Sequence, residues 1–270
     1  MSTPNQTPDS FTHRYIPAFQ KRVHRLGIVG NYGLDEGGIE AALDRGMNYV
    51  FFTPTSKDFF QRPIQKALRS RREEMVIASG ATFSFFGGSV RRGLEKMLQR
   101  LETPYLDLLQ LFWLGRTSAW SEGTEGELQK AKESGKAHAI GVSIHDRPRA
   151  GRLAEDSPLD ALMIRYNASH PGAEQDIFPH CEKRRPAIIA YTATDWRKLL
   201  KAPRGWTGPV PTAGDCYRFC LSNPTVDLVL CGAGNQKELD ENLKALEKGP
   251  LSPEEMAWMR AFGRKVAGKD

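Results

Sequence analysis

Short apolar runs alternate with helical patterns along almost the whole chain, and this alternation constrains the fold more than any other feature. The strand-like runs are RLGIVG, NYVFF, EMVIAS, YLDLLQLFWL, AHAIGVSI, DALMIRY, AIIAYT and VDLVLCG. Each is followed by a stretch with helical periodicity, from DEGGIEAALDRG after the first to QKELDENLKALEKG after the last. The runs are continuously apolar rather than alternating, as in parallel strands covered on both faces. Eight strand–helix pairs in 270 residues predict an α/β chain folded as a single (β/α)8 TIM barrel. SPEEMAWMRAFGRKVAG adds an extra C-terminal helix, and Ser89 is expected to cap the helix SVRRGLEKMLQRL. A doubly wound sheet is the rival, but GIVGNYGLDEGG lacks the G-x-G-x-x-G spacing of a dinucleotide turn.

The barrel is expected over residues 21–270. Residues 1–20 read as a disordered leader without the basic and apolar segments of a secretory signal, which makes the cytoplasm the expected compartment. No apolar run is long enough to cross a membrane. The formal charge is +6, but the basic clusters are scattered and no aromatic-interleaved basic stripe occurs, so nucleic acid is not an expected partner. Cys181, Cys216, Cys220 and Cys231 form no C-x-x-C pair and read as reduced core residues.

A barrel of this kind carries its chemistry on the loops after the C-terminal strand ends. Those loops begin near Asn31, Phe52, Ser79, Phe112, Ser143, Tyr166, Tyr191 and Cys231.

The segments LETPYLDLLQL, SGKAHAIGVS, MIRYN, IIAYT and CGAGNQKELDENLKALE, in this order and spacing, resemble the aldo-keto reductase superfamily from about Arg25 to Leu251. The resemblance implies hydride transfer from NADPH to a carbonyl, with an Asp, a Tyr, a Lys and a His at the barrel mouth. In those enzymes the Tyr is the proton donor, the Lys lowers its pKa, the Asp pairs with the Lys, and the His orients the substrate. Carried across, the four positions fall on Phe51, Ser56, Gly80 and Phe112, which marks a divergent branch lacking the tetrad. A shift of register does not restore it. No histidine occurs between His24 and His138, no tyrosine between Tyr49 and Tyr105, and no lysine between Lys66 and Lys96.

For the cofactor, the resemblance matches Tyr191 to a ring that stacks on nicotinamide and Ser143 to a partner of its carboxamide. Glu241 and Asn242 match the pair near adenine. Ile144 and Met163 replace expected amides, and Gly234 and Glu238 replace residues that grip the 2′-phosphate. NAD(P)H therefore remains an admitted cofactor with a weakened grip, since buried polar edges need partners.

The loops carry other reactive groups. His145 and Asp146 follow the fifth strand, and Asn167, His170 and Glu174 follow the sixth; His145, Asp146, His170 and Glu174 are the candidate acid–base residues. The simpler reading makes Asp146 a helix cap ahead of Pro148, and Glu174 a favourable charge at a helix start. Asn31, Tyr32, Phe51, Phe52, Ser56, Phe112, Trp113, Arg116, Asn167 and Trp196 are the expected substrate pocket. Its aromatic character suits a small apolar or aromatic ligand. Phe83, Phe85 and Phe86 are an expected apolar lid.

Three functions stay open at this level. The first, and preferred, is a small-molecule enzyme with non-standard groups. The second is a nicotinamide-dependent oxidoreductase with a substitute proton donor. The third is a non-catalytic protein that binds a ligand or partner.

Overall fold

The computed structural model describes residues 9–30, 32–82, 88–115 and 120–268. Strands are β1 (His13–Ile16), β2 (Lys21–His24), β3 (Leu26–Val29), β4 (Tyr49–Phe51), β5 (Val76–Thr82), β6 (Leu106–Leu114), β7 (Ala137–Ile144), β8 (Ala161–Arg165), β9 (Ala187–Tyr191) and β10 (Leu228–Cys231). Helices are α1 (Glu36–Asp44), α2 (Asp58–Arg71), α3 (Ser89–Leu101), α4 (Glu122–Glu133), α5 (Arg147–Asp156), α6 (Ala173–Asp176), α7 (Ala213–Ser222), α8 (Gln236–Glu247) and α9 (Pro253–Val266). Strands β3 to β10 close into a parallel barrel in sequence order, with β10 hydrogen-bonded to β3. The (β/α)8 expectation is met, and α9 is the extra C-terminal helix.

The helices cover the barrel because their apolar residues recur at helical spacing. Helix α2 buries Phe60, Ile64, Ala67 and Leu68, and α3 buries Val90, Leu94, Met97, Leu98 and Leu101. The ring of Phe60 stacks on that of Phe52 at 5.9 Å between centroids. Full burial of such a ring stabilises the fold by about 2 kcal/mol. Ser89 does not cap α3: it is the first helical residue, and Gly88 precedes it. The carboxylate of Glu127 on α4 accepts from Val90 N–H at 3.0 Å and from Gly88 N–H, so a neighbouring helix satisfies these donors.

The interior of the barrel is a separate apolar layer built from Tyr49, Val76, Leu108, Met163, Ile189 and Leu228, among others. Ile16, Phe19 and Val23 belong to it, so the part of the expected leader from Ile16 onward is packed against the barrel, while residues 1–8 lie outside the described residues. From His13 the chain pairs with β2 as an antiparallel hairpin, and the turn at Pro17–Phe19 inserts into the N-terminal end of the barrel. At the same end, Asp107 is fully buried and accepts from Lys21 at 2.6 Å, from Arg72 at 2.9 Å and from Ile77 N–H at 2.9 Å. All four cysteines are free and buried, as expected. No described helix is long and apolar enough to cross a membrane.

Candidate functional site

At the C-terminal end, the inward-facing positions of successive strands converge on a cleft of about 1160 Å³. Phe51 ends β4, Ser143 lies near the end of β7, Met163 faces in from β8, and Tyr191 ends β9; all four line it. The cleft continues between the loop after β9 and the α7–α8 edge, past Trp196, Arg197 and Thr212 to Asn242 and Lys248. All four residues matched to cofactor binding, Ser143, Tyr191, Glu241 and Asn242, line this one cleft.

Of the expected pocket residues, Tyr32, Phe51, Ser56, Trp113 and Trp196 line the cleft. Phe112 backs it, its ring edge-on to Phe51 at 5.4 Å. Two expectations are corrected. Phe52 points outward into the layer between barrel and helices, because adjacent strand residues face opposite ways. Asn167 is buried and organises loops: its amide donates to Thr192 O at 2.7 Å, and its carbonyl accepts from the backbone of Ser169 and His170. Asn31, Arg116, Phe83, Phe85 and Phe86 lie outside the described residues.

Trp113 reaches the mouth through a local irregularity. The β6–β7 register shifts between Leu111 and Leu114, and Trp113 takes a left-handed φ of 58°. Such a bulge re-aims one side chain without ending the strand. Here it leaves the indole about half exposed at the mouth.

The candidate acid–base residues separate into two groups. His145, Asp146 and His170 surround a smaller cavity of about 390 Å³ beside the cleft, and His145 lines both. Glu174 is not with them, which corrects its place in the set. It accepts from the Tyr166 hydroxyl at 2.6 Å and from Arg260 at 2.8 Å, tying α6 to α9. Asp146 caps α5 by accepting from Arg149 N–H at 2.8 Å. His170 Nδ1 lies 2.9 Å from Ser169 Oγ. Among the described residues no group of three His, Cys, Asp or Glu is arranged to hold a metal ion.

His145 Nδ1 lies 2.9 Å from the Tyr191 hydroxyl. Partial burial, reinforced by the Arg165 guanidinium, holds the imidazole below its ordinary pKa, which favours the neutral ring at pH 7. Burial pushes the Tyr191 phenol up to about 12, against the opposing pull of Arg165. A neutral ring beside a protonated phenol is a hydrogen-bonded pair able to pass a proton.

Gly80 faces Gln110 across β5–β6, and a Cβ at this position would stand 1.8 Å from the Gln110 carbonyl oxygen. The closeness of the two backbones excludes any side chain here unless a strand moves.

Sequence reading did not single out Arg165, which lines the smaller cavity, or Arg197, Lys244 and Lys248, which line the cleft. Arg197 crosses from the loop after β9 to pair with Glu238 on α8 at 3.2 Å. The Gly234 N–H and Arg197 hold the Glu238 carboxyl below the usual carboxylate range. For Arg165 a signal existed, namely a charged residue ending the otherwise apolar run ALMIR.

The aldo/keto reductase family model matches residues 35–201. The aldo-keto reductase YhdN of Bacillus subtilis (strain 168) is 24% identical over 166 residues, which cover 57% of this chain and 50% of that protein. The match thus spans about half the length of that curated relative. Among solved structures, the holo form of aldo-keto reductase AKR11C1 from Bacillus halodurans superposes with a TM-score of 0.75 at 21% identity, covering 96% of this chain and 97% of that one. An aldo-keto reductase from Klebsiella pneumoniae in complex with NADPH gives 0.73 at 23% identity, covering 90% and 93%. The family model covers more than half of the residues, and the chain belongs to the aldo/keto reductase family.

Proposed function

We propose that the protein is a nicotinamide-dependent oxidoreductase acting on small aromatic or apolar carbonyl compounds, with the His145–Tyr191 pair replacing the family's usual proton donor. The observation that carries this reading is the continuity of the cleft: one space joins the Tyr191 ring and Ser143 to Asn242 and Glu241 on α8. Its polar lining suits a dinucleotide. Ser143 and Asn242 offer donors at the two ends, and Thr212, Lys244 and Lys248 lie along the α7–α8 edge. The fit is looser at the amide end, where Ile144 faces the outer core and Met163 offers only a thioether. The Glu238 carboxylate gives no reason for a preference for the 2′-phosphate, so NADH is expected to bind at least as well as NADPH. A bound nicotinamide supplies the hydride.

In this reading Phe51, Ser56, Gly80 and Phe112 stand where the family's Asp, Tyr, Lys and His are expected. The neutral His145 ring passes the proton. Its Nε2–H donates to the carbonyl oxygen while Nδ1 takes the Tyr191 proton, so the imidazole ends neutral and the phenol is left ionised. Phe51, Phe112, Trp113 and Trp196 exclude water and hold an apolar substrate by ring contact. His170 stands beside His145 without sharing the main cleft, and Asp146 fixes the start of α5 directly after it.

The test is titration of the purified, metal-stripped protein with NADH and NADPH, followed by Trp fluorescence and calorimetric heat. Micromolar binding that weakens by about ten-fold or more in Tyr191→Ala is expected. No binding at millimolar cofactor would overturn hydride transfer. A second reading, a binding protein without turnover, draws on the purely apolar Phe51–Phe112 contact at the mouth; a ligand recovered unaltered would favour it.

A further inference from the structure

The smaller cavity shares His145 with the cleft, and its apolar lining includes Ile144, Ile164 and Ile177. Its walls carry four charged or titratable residues besides His145: Asp146, Arg147, Arg165 and His170. Two of these charges are committed. The Asp146 carboxylate caps α5. Arg147 Nε bonds Asp176 at 2.8 Å, and its guanidinium lies directly on Gly172, where a Cβ would come within 1.9 Å of Nη1. His170 leans on Ser169, with the Asp195 carboxylate 3.8 Å away.

Arg165 differs from its neighbours. It ends β8, paired in register with Tyr191 on β9; the residue is half-buried, and its guanidinium has no carboxylate or carbonyl partner among the described residues. A cation drawn out of water without an acceptor is unfavourable, and a planar fork of N–H donors matches a carboxylate in two parallel bonds. Its charge is felt at both members of the proton-passing pair: it adds to the effect of burial in lowering the His145 pKa and opposes the rise that burial causes at Tyr191.

We infer that the smaller cavity is an anion subsite in which Arg165 receives the carboxylate of the substrate, so that the substrates are aromatic or apolar oxo-carboxylates. The carboxylate enters the cavity, the carbonyl faces His145, which both spaces share, and the apolar body lies among the aromatic rings of the mouth. The carbonyl placement rests on the oxidoreductase reading above; the carboxylate contact does not.

The experiment therefore omits the dinucleotide. Phenylglyoxylate and its uncharged counterpart acetophenone are titrated into the full chain, following Trp fluorescence, for the natural sequence, Arg165→Gln and Arg165→Lys. Phenylglyoxylate is expected to bind saturably and to weaken by about ten-fold or more in Arg165→Gln, with part of the loss restored in Arg165→Lys. Acetophenone is expected to bind all three alike. Equal phenylglyoxylate affinity in Arg165→Gln, or no saturable phenylglyoxylate binding to the natural sequence, would overturn the inference. If Arg165→Gln does not fold, the comparison of the two probes on the natural sequence decides: no preference for the carboxylate overturns it. A failed dinucleotide titration leaves this result standing, and a failed carboxylate titration leaves the dinucleotide result standing.

Discussion

The Tyr191 hydroxyl and His145 Nδ1 stand 2.9 Å apart although β9, which Tyr191 ends, and β7, which His145 directly follows, are separated by β8. The contact spans the inward curve of the barrel, and His145 lines both cavities. Its chemistry can be tested separately from its packing.

Replacing His145 by Gln keeps a polar side chain of similar length and removes the titrating ring. We predict that turnover falls by about 100-fold while dinucleotide affinity stays within about two-fold. In the natural sequence, the imidazole's pKa is depressed below 6.5 by burial and then Arg165. Activity that needs the neutral ring is thus flat through neutral pH and declines only on the acid side of that value. A kcat–pH profile measures this, and an unchanged acid limb in His145→Gln would remove His145 from the mechanism.

Tyr191 carries two roles that two substitutions divide. Tyr191→Phe keeps the ring that lines the cleft, so dinucleotide affinity is predicted to change by less than about three-fold while turnover drops with loss of the proton source. Tyr191→Ala is predicted to weaken the cofactor by about ten-fold or more. Calorimetry on both variants separates the roles; equal losses of affinity would show that the ring does not stack.

Gly80→Ala introduces a Cβ where the Gln110 carbonyl oxygen would be 1.8 Å away. The β5–β6 pairing must shift to admit it, and a loss of about 3 kcal/mol is predicted from urea unfolding. Gly80→Lys is expected to destabilise at least as much. A Gly80→Lys chain as stable as the natural one would refute this account of the strand spacing.

His24 sits in the closed end of the barrel, with Nδ1 accepting from Leu26 N–H at 3.0 Å. Burial, then the nearby His13, lower its pKa from 6.5 to about 4. The unfolded chain therefore takes up this proton at a higher pH than the folded one. The associated stability is complete above pH 6.5 and is lost as pH falls toward 4, a change of about 3 kcal/mol. Denaturant unfolding at pH 7 and pH 4.5 should show this decline, and His24→Gln should flatten it; a slope unchanged in the variant would assign the effect elsewhere.

The strand order was legible because parallel strands covered on both faces leave long apolar runs that local pattern alone reveals. The same property hid the site's details. NYVFF does not show which of Phe51 and Phe52 faces inward, since no polar residue marks the alternation. YLDLLQLFWL conceals the bulge that turns Trp113 to the mouth, because the irregularity lies in backbone pairing between strands. Glu174 was misplaced because its partners, Tyr166 and Arg260, are brought to it by tertiary packing; Arg260 is 86 residues away. The hairpin at residues 13–24 was missed because HRYIPAFQKRVH is short and mixed in polarity, with its apolar residues recognisable only against the barrel interior they enter. Arg165 was visible, but its meaning depends on the absence of a partner among the described residues, which no spacing expresses.

The hairpin turn that carries Phe19 into the base of the barrel packs it against the interior layer of Tyr49, Leu108 and Ile189. That end is filled with side chains, so the floor beneath the cleft is protein rather than solvent. Anything held at the mouth then rests on a dry support whose shape the hairpin helps to fix.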